Sequence, residues 1–302
     1  MPKLAPRFGD VPVLGPHGFA RVGYTEWGSA SAARTVVCVH GLTRNSRDFD
    51  FLAQRLVERG ARVVAPDLPG RGRSEFLEHA EDYATPMYLA AMAALIARLG
   101  VAEVDWVGTS LGGHIGMELA ARPNSPIRRL VLNDFGARVP VAALTRIAAY
   151  LRRAHAFATL AEVEAYLRDV YAPFGKLTDA QWRHMAVHGV VQDKTGFTLH
   201  YDPAIVAQFS RPMLLDVVLW RVWEHVACPV LIVRGEDSDL LLPSTVAEMK
   251  RRGIAAAQGF VESVEIAGCG HAPALMSDDQ IRIVGDFLFA DEAVPARRRA
   301  SR

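Results

Sequence analysis

Short apolar runs alternate with longer segments of helical periodicity along most of the chain. The runs from Thr35 onward are almost continuously apolar, as expected of parallel strands that are buried on both faces of a sheet. The predicted strands are Ala20–Trp27, Thr35–His40, Arg62–Pro66, Val104–Gly108, Arg129–Asn133, Val230–Arg234 and Val261–Ala267. The predicted helices are Phe49–Arg59, Pro86–Leu99, Leu111–Ala121, Thr245–Arg252 and Asp278–Leu288. This order predicts the α/β fold class, with a mostly parallel central sheet flanked by helices.

One stretch, Phe135–His225, breaks the alternation and contains no convincing buried strand. Helical patterns occupy Val141–His155, Leu160–Val170 and Asp179–Val187, and an aromatic-rich sequence follows them. A connection of this length is too long for a structureless loop. We therefore predict a helical insertion over residues 135–225, lying above a core formed by residues 1–134 and 226–302.

Composition narrows the class of protein further. The 302 residues carry 34 basic and 33 acidic side chains, so the basic excess of a nucleic-acid-binding protein is absent. Three widely spaced cysteines suggest neither a disulfide framework nor a zinc ribbon. The N-terminus lacks the apolar segment of a signal peptide, and the longest apolar run, Met87–Ala97, is too short for a membrane span. These features predict a cytoplasmic protein without a membrane span.

The sharpest chemical signal is the segment Gly108–Gly113, which reads GTSLGG between a predicted strand and a predicted helix. Such a turn is so tight that Ser110 takes a strained backbone conformation, and side chains larger than glycine beside it would collide. Ser110 Oγ would stand above the sheet edge, while the Leu111 N–H at the helix N-terminus would face a developing oxyanion. The alternative is a glycine-rich turn with a structural or phosphate-binding role.

A serine needs a base to take its proton, and His271 has the best position among ten histidines. It lies directly after the last predicted strand, where the loops of an open sheet gather around a ligand. His40 also ends a strand but is better suited to shaping an oxyanion loop. His114 follows Ser110 by one helical turn and is expected to pack there.

The acid that orients the histidine should follow a strand. Asp237 and Asp239 follow the strand VLIVR, and Asp134 follows the strand RRLVLN. Each could instead cap a turn, and position alone does not choose among the three.

The ordered set HGLTRNS, APDLPGRGRS, GTSLGG, LVLNDFG, VLIVRGEDSD and GCGHAP resembles the α/β-hydrolase superfamily over about residues 20–290. The resemblance implies Ser110 as nucleophile, His271 as base and an Asp after the penultimate strand. It also implies that the Leu42 N–H is the second oxyanion donor, that residues 135–225 form a helical cap, and that Asp67–Ser74 braces the core.

The family's acid loop resembles Gly-x-x-Asp, with a Pro four residues after the Asp. Three residues after Gly235 stands Ser238, which is no acid, so this chain departs from the pattern. Counting back from Pro243 reaches Asp239, which we therefore predict as the triad acid, with Asp237 and Asp134 as alternatives.

Other groupings carry weaker signals. His184 and His188 have a metal-binding spacing, but no third ligand follows, so packing is the better interpretation. The tryptophans of the insertion, Trp182, Trp220 and Trp223, could line an apolar substrate pocket or pack the insertion onto the core. We interpret Cys269 as a small packing residue. No cofactor or metal motif is present.

The sequence thus predicts a cofactor-independent serine hydrolase that cleaves a carboxylic ester or a related acyl compound. The partner is a small-molecule ester or acyl substrate, with no nucleic acid, and the oligomeric state stays open. A carbon–carbon bond hydrolase or a lactonase would use the same three residues, and a ligand receptor could retain them for binding alone.

Overall fold

The predicted alternation of strands and helices is confirmed in the computed structural model, which describes residues 4–151, 156–209 and 214–290. The strands are β1 (Arg7–Gly15), β2 (Gly18–Trp27), β3 (Arg34–Val39), β4 (Ala61–Pro66), β5 (Val104–Thr109), β6 (Ile127–Asn133), β7 (Arg138–Val139), β8 (Ala156–Phe157), β9 (Val190–Gln192), β10 (Phe197–Leu199), β11 (Val217–Val218), β12 (Val230–Gly235) and β13 (Val261–Ile266). The helices are α1 (Asp50–Glu58), α2 (Thr85–Leu99), α3 (Leu111–Ala120), α4 (Val141–Leu151), α5 (Leu160–Val170), α6 (Asp179–His188), α7 (Trp220–Trp223), α8 (Pro243–Met249), α9 (Ile254–Ala257) and α10 (Asp278–Phe289).

Eight strands form the central sheet, in the order β1-β2-β4-β3-β5-β6-β12-β13. From β4 to β13 neighbouring strands are parallel, while β1 and β2 pair with each other and β2 pairs with β4 antiparallel. All seven predicted strands are present. The strand β1 was not predicted, because it is an edge strand whose side chains are mostly exposed and which contains Pro12.

Both faces of the sheet are covered because side chains alternate along each strand. In β5, Trp106 packs with the cluster that includes α2 and α3, whereas Val107 packs with Leu56 of α1 and Val284 of α10. Central strands such as β4 and β12 are buried at every position. This burial explains why the parallel strands appear as continuous apolar runs.

The segment between β6 and β12 is helical in part. The helices α4, α5 and α6 lie where they were predicted, although residues 152–155 of the predicted Val141–His155 helix lie outside the described residues. The expectation of helices alone is wrong, because β8, β10 and β9 form a small sheet and β7 pairs with β11. These strands are two or three residues long, too short for a period-two pattern to mark them.

Hydrogen bonds fasten this segment to the core. Tyr83 Oη donates to Asp202 Oδ2 at 2.5 Å, and Asn45 Nδ2 donates to the His188 carbonyl at 2.8 Å. The proposed division at residues 135 and 225 stays a prediction.

Within the described part of the chain, we find no helix with both the length and the apolar character needed to cross a membrane. The basic C-terminal ending lies outside the described residues.

Candidate active site

Ser110 lies on the tight turn between β5 and α3. Its backbone has φ 51° and ψ −112°, a conformation that L-residues rarely adopt, and its N–H donates to the Asn133 carbonyl at 3.0 Å. The flanking glycines are required by close approach. A Cβ on Gly108 would lie 2.2 Å from the Gly112 carbonyl oxygen, and one on Gly112 would lie 2.0 Å from the Val39 carbonyl oxygen. The GTSLGG sequence is therefore what allows Ser110 to project above the sheet edge.

His271 follows β13 and lies directly against Ser110. Its Nε2 is 2.8 Å from Ser110 Oγ, and its Nδ1 is 2.7 Å from Oδ2 of Asp134. The carboxylate at Nδ1 favours the tautomer that carries its proton there, which leaves Nε2 able to accept the serine proton. The structure thus brings together the predicted nucleophile and the predicted base.

Asp134, at the end of β6, holds the position of the acid. Its side chain is fully buried, and its φ of 53° turns the chain sharply after the strand. The carboxylate accepts the Gly235 N–H at 2.9 Å and the Ser238 hydroxyl at 2.5 Å, besides the His271 ring. Three donors around a buried carboxylate fix its orientation.

Asn133 links the loops that carry these side chains. Its Nδ2 donates to Thr109 Oγ1 at 3.0 Å and to the Pro273 carbonyl at 2.8 Å. One fully buried amide therefore joins the residue before Ser110 to a residue just after His271. Sequence reasoning missed this contribution, because the asparagine seemed only the last residue of a strand.

The loop after β3 lies beside the nucleophile. A Cβ on Gly41 would be 3.7 Å from Ser110 Cβ, so Leu42 follows at the rim of the same site. His40 Nδ1 donates to the Gly41 carbonyl at 2.6 Å, and its Nε2 accepts the Leu68 N–H at 2.9 Å. Burial lowers the pKa of His40 to about 3, so the ring stays neutral. It orients the peptide group whose N–H belongs to Leu42.

The other predicted oxyanion donor, the Leu111 N–H, lies in the first turn of α3, where N–H groups have no partner within the helix. The Leu42 carbonyl accepts a hydrogen bond from Arg71 Nε at 2.8 Å, which fixes the other side of that residue. The oxyanion role of Leu42 and Leu111 stays a prediction.

Two cavities reach Ser110, and Leu42 and Ile147 line both of them. The first, which we call the arginine cleft, has a volume of about 60 Å³. Its other lining residues include Arg44, Arg146, Tyr171, Phe174 and His271. The second, which we call the leucine cavity, has a volume of about 220 Å³. Its other lining residues include Leu111, Phe135, Leu144, Phe209, Leu219 and Leu240.

Comparison with known proteins shows the family of this chain. The family model of the alpha/beta hydrolase family matches residues 36–283. The chain belongs to the α/β-hydrolase family. It is 46% identical to a 3-hydroxybutyrate-oligomer hydrolase of Cupriavidus necator, over 95% of this chain and 99% of that protein. It is 32% identical to a 2-(acetamidomethylene)succinate hydrolase of Mesorhizobium japonicum, over 70% and 74% of the two chains.

Among solved structures, a putative hydrolase from Rickettsia typhi superposes with a TM-score of 0.86 at 30% identity, covering 94% of this chain and 99% of that one. The predictions of fold, of family and of a hydrolase that acts on esters are confirmed.

The prediction that Asp239 orients His271 is wrong in this structure. Asp239 of the hydrolase is half exposed, and its carboxylate pairs with Arg146 at 2.7 and 2.8 Å. Partial burial would raise the pKa of Asp239, but the hydrogen bonds and charge of Arg146 hold it below its usual value. The side chain of Asp237 is exposed as well, and its backbone N–H bonds to the Cys269 carbonyl. Asp134, which the sequence left as an alternative, takes the position instead.

Of the two interpretations of the tryptophans, pocket lining and packing, the contacts of the described residues favour packing. In the part of the chain that the structure describes, none of the three lines a cavity that reaches Ser110. Trp182 is buried in a cluster with Leu167 of the hydrolase's α5. Trp223 is buried and donates to the carbonyls of Met249 and Arg252, and Trp220 lies under the Arg252 guanidinium. All three rings therefore take part in packing, and Trp223 also satisfies its indole N–H.

His184 and His188 meet a third potential ligand, Asp50, which comes from the core and which the sequence spacing did not reveal. The guanidinium of Arg47 contacts two of these three side chains: it binds both oxygens of Asp50 and lies 3.4 Å from His188 Nδ1. His184 bonds to the Arg47 carbonyl. The contacts are those of packing between α6 and the core.

His114 and Cys269 take structural places near the site. His114 stacks on Phe135 and borders the leucine cavity. Cys269 is buried, and this burial raises the pKa of its thiol, which disfavours the reactive thiolate. Arg146, Tyr171 and the other cavity residues of residues 135–225 were missed, because no motif marks a residue that is defined only by the folded cavity.

Proposed function

We propose that this hydrolase cleaves the ester bonds of short 3-hydroxybutyrate oligomers through a Ser110–His271–Asp134 triad. The observation that carries the proposal is the pair of short hydrogen bonds, Ser110 Oγ to His271 Nε2 at 2.8 Å and His271 Nδ1 to Asp134 at 2.7 Å, at the meeting point of two cavities. Such an arrangement can activate a serine and hold an extended ester on both sides of it.

In the first half of the reaction, Ser110 Oγ attacks the ester carbonyl carbon while its proton passes to His271 Nε2. Asp134 stabilises the imidazolium that forms. The N–H groups of Leu42 and Leu111 donate to the oxyanion. Collapse of the tetrahedral intermediate breaks the bond to the alcohol oxygen, which takes the proton from Nε2, and an acyl-Ser110 ester remains.

In the second half, His271 takes a proton from a water molecule, and the resulting hydroxide attacks the acyl carbon. The intermediate collapses and returns the proton to Ser110 Oγ, so the carboxylic acid leaves and the serine is regenerated. Water is the only reactant besides the ester that the two halves use.

The choice of substrate is supported by the relative from Cupriavidus necator, which is aligned over almost its whole length. The leucine cavity, with its mainly aliphatic and aromatic lining, suits an acyl chain with a methyl branch. We propose that residues 135–225 act as the cap over the site, since α4 contributes Leu144, Arg146 and Ile147 to the two cavities.

We propose a cytoplasmic location for the hydrolase. Its three cysteines are all buried free thiols, which suits a reducing compartment.

The decisive experiment compares wild type with Ser110→Ala on a linear 3-hydroxybutyrate trimer and on p-nitrophenyl butyrate. Loss of the nucleophile should lower kcat on both by about 10⁶-fold while circular dichroism is unchanged. Ser277→Ala, which changes only the cap of α10, is the matched control and should retain activity. Turnover of the trimer by Ser110→Ala at the wild-type rate would contradict the triad. Wild-type activity on lactones or ring-cleavage diketones, but not on the trimer, would favour the lactonase or carbon–carbon hydrolase instead.

A further inference from the structure

Arg146 is a charged side chain at the site that the reaction steps do not use. It projects from α4 and lines the arginine cleft together with Ser110 and His271. The other arginine of that cleft, Arg44, is buried, and its Nε and one terminal nitrogen bind both oxygens of Asp48. Arg146 is 45% exposed on its side chain, so it is the one of these two that a ligand from solvent can reach.

The carboxylate that Arg146 holds in this structure is readily exchanged. Arg146 forms a two-point ion pair with Asp239, and the Asp239 side chain is itself 47% exposed. An ion pair so open to water contributes little free energy, because water screens it and because both side chains lose entropy. A carboxylate delivered by a bound substrate can therefore compete with Asp239 for the same planar guanidinium.

The position of His271 indicates which half of an ester enters which cavity. His271 must give its proton to the leaving alcohol oxygen, and it lines the arginine cleft but is not among the lining residues of the leucine cavity. The alcohol portion therefore belongs in the arginine cleft, and the acyl portion belongs in the leucine cavity. When the ester bond nearest the acid end of a 3-hydroxybutyrate oligomer is cleaved, the leaving alcohol is the last 3-hydroxybutyrate unit. Its hydroxyl oxygen is bound to C3, and its free carboxylate carbon is C1, two carbons away.

We propose that Arg146 is a specificity-determining residue that binds the free terminal carboxylate of the substrate, with Asp239 as its competing partner. The inference rests on the proposed function and adds the end of the oligomer from which the enzyme cleaves. The enzyme cleaves the ester bond nearest the acid end, and each turnover releases one 3-hydroxybutyrate. Asp239, the residue predicted as the catalytic acid, thereby acts on binding of the anionic end and not on His271.

The test compares two substrates, the linear 3-hydroxybutyrate trimer as its free acid and the same trimer as its methyl ester. In Arg146→Met, the ratio of kcat/KM for the acid to kcat/KM for the ester should fall about 10- to 100-fold, the usual effect of losing a charge-assisted hydrogen bond. Arg146→Lys should lose less, because it keeps the charge without the planar pair of donors.

Two further variants sharpen the measurement. Asp239→Asn should raise the same ratio about two- to fivefold, since it removes a competing charge. Arg168→Met is the matched control: Arg168 also lies on a helix of residues 135–225 and pairs with two acids, Glu164 and the exposed Asp179, but it is not among the residues that line either cavity. It should leave the ratio unchanged.

The outcomes separate the two proposals. Wild-type cleavage of both trimers, with the ratio unchanged in Arg146→Met or lowered in Asp239→Asn, would overturn the role of Arg146 and leave the proposed function intact. An equal loss on both trimers in Arg146→Met would assign Arg146 to packing and would also overturn it. A wild-type enzyme that cleaves neither trimer would overturn the proposed function together with this inference.

Discussion

The loop after β6 and the loop after β12 each place an aspartate at the same edge of the sheet, yet the two side chains have opposite surroundings. Asp134 is fully buried and receives hydrogen bonds from Gly235, Ser238 and His271. Asp239 is half exposed and pairs with Arg146, which comes from residues 135–225. A carboxylate can orient a histidine only when its own position is fixed, and burial with several donors supplies this.

The comparison shows how chemistry and selectivity divide in this enzyme. In the mechanism that we propose, buried groups at the sheet edge hold the reacting atoms, whereas exposed groups where the core meets residues 135–225 hold the substrate. Charge alone does not distinguish the two aspartates.

The largest expected effect tests this division directly. Asp134→Asn should lower kcat on p-nitrophenyl butyrate by about 10⁴-fold, because an amide favours the wrong tautomer of the imidazole. Asp239→Asn should lower it by less than about tenfold. Steady-state kinetics on the two purified variants, with matching circular dichroism spectra, provide the measurement. A collapse of kcat in Asp239→Asn with a near-normal Asp134→Asn would reverse the assignment.

The next prediction concerns another buried group of the sheet edge, His40. Its pKa of about 3 in the folded protein lies below the ordinary value of 6.5, so below pH 6.5 the unfolded chain binds a proton that the folded chain does not. The free energy of unfolding should therefore decrease as pH falls from 6.5 toward 3. Between pH 7 and pH 5 this contribution is about 2 kcal/mol.

His40→Gln removes that contribution. Urea unfolding at pH 7 and pH 5 should show the wild type losing about 2 kcal/mol more than the variant. Equal losses would mean that the His40 ring is not held neutral, and the sharp contrast between buried and exposed groups would be weakened.

The smallest predicted effect lies on the substrate side. Leu144→Ala enlarges the leucine cavity, so the ratio of kcat/KM for p-nitrophenyl octanoate to that for the butyrate should rise about tenfold. Trp182→Ala is the comparison, because Trp182 packs behind the site: it should lower Tm and keep the ranking of substrates. A changed ranking in Trp182→Ala, with none in Leu144→Ala, would restore the tryptophan as a selectivity residue.

The core of the fold could be predicted from the sequence because central strands are buried on both faces and leave continuous apolar runs. Ser110 was also predictable, since its turn needs glycines where backbone atoms approach within van der Waals distance. The choice of acid failed for an instructive reason. Ser238 stands three residues after Gly235, where the family pattern has an acid, and its hydroxyl donates to Asp134. That departure from the pattern was the signal pointing to Asp134.

The cavities could not be predicted in the same way. The helix α4 places Leu144, Arg146 and Ile147 in the cavities that reach Ser110. Nothing in the local sequence spacing predicts that placement. Similarly, Asp50 approaches His184 and His188 only through tertiary contact. Aromatic content drew attention to Trp182, Trp220 and Trp223, but large rings are as useful for packing as for lining a pocket.

Proton NMR of the His271 ring tests most directly the claim that Asp134, and not Asp239, orients the catalytic histidine. The proton between His271 Nδ1 and Asp134 Oδ2, atoms 2.7 Å apart, should give a far-downfield resonance that His271→Gln abolishes. We predict that this resonance disappears in Asp134→Asn and persists in Asp239→Asn. Its persistence in Asp134→Asn together with its loss in Asp239→Asn would contradict the account.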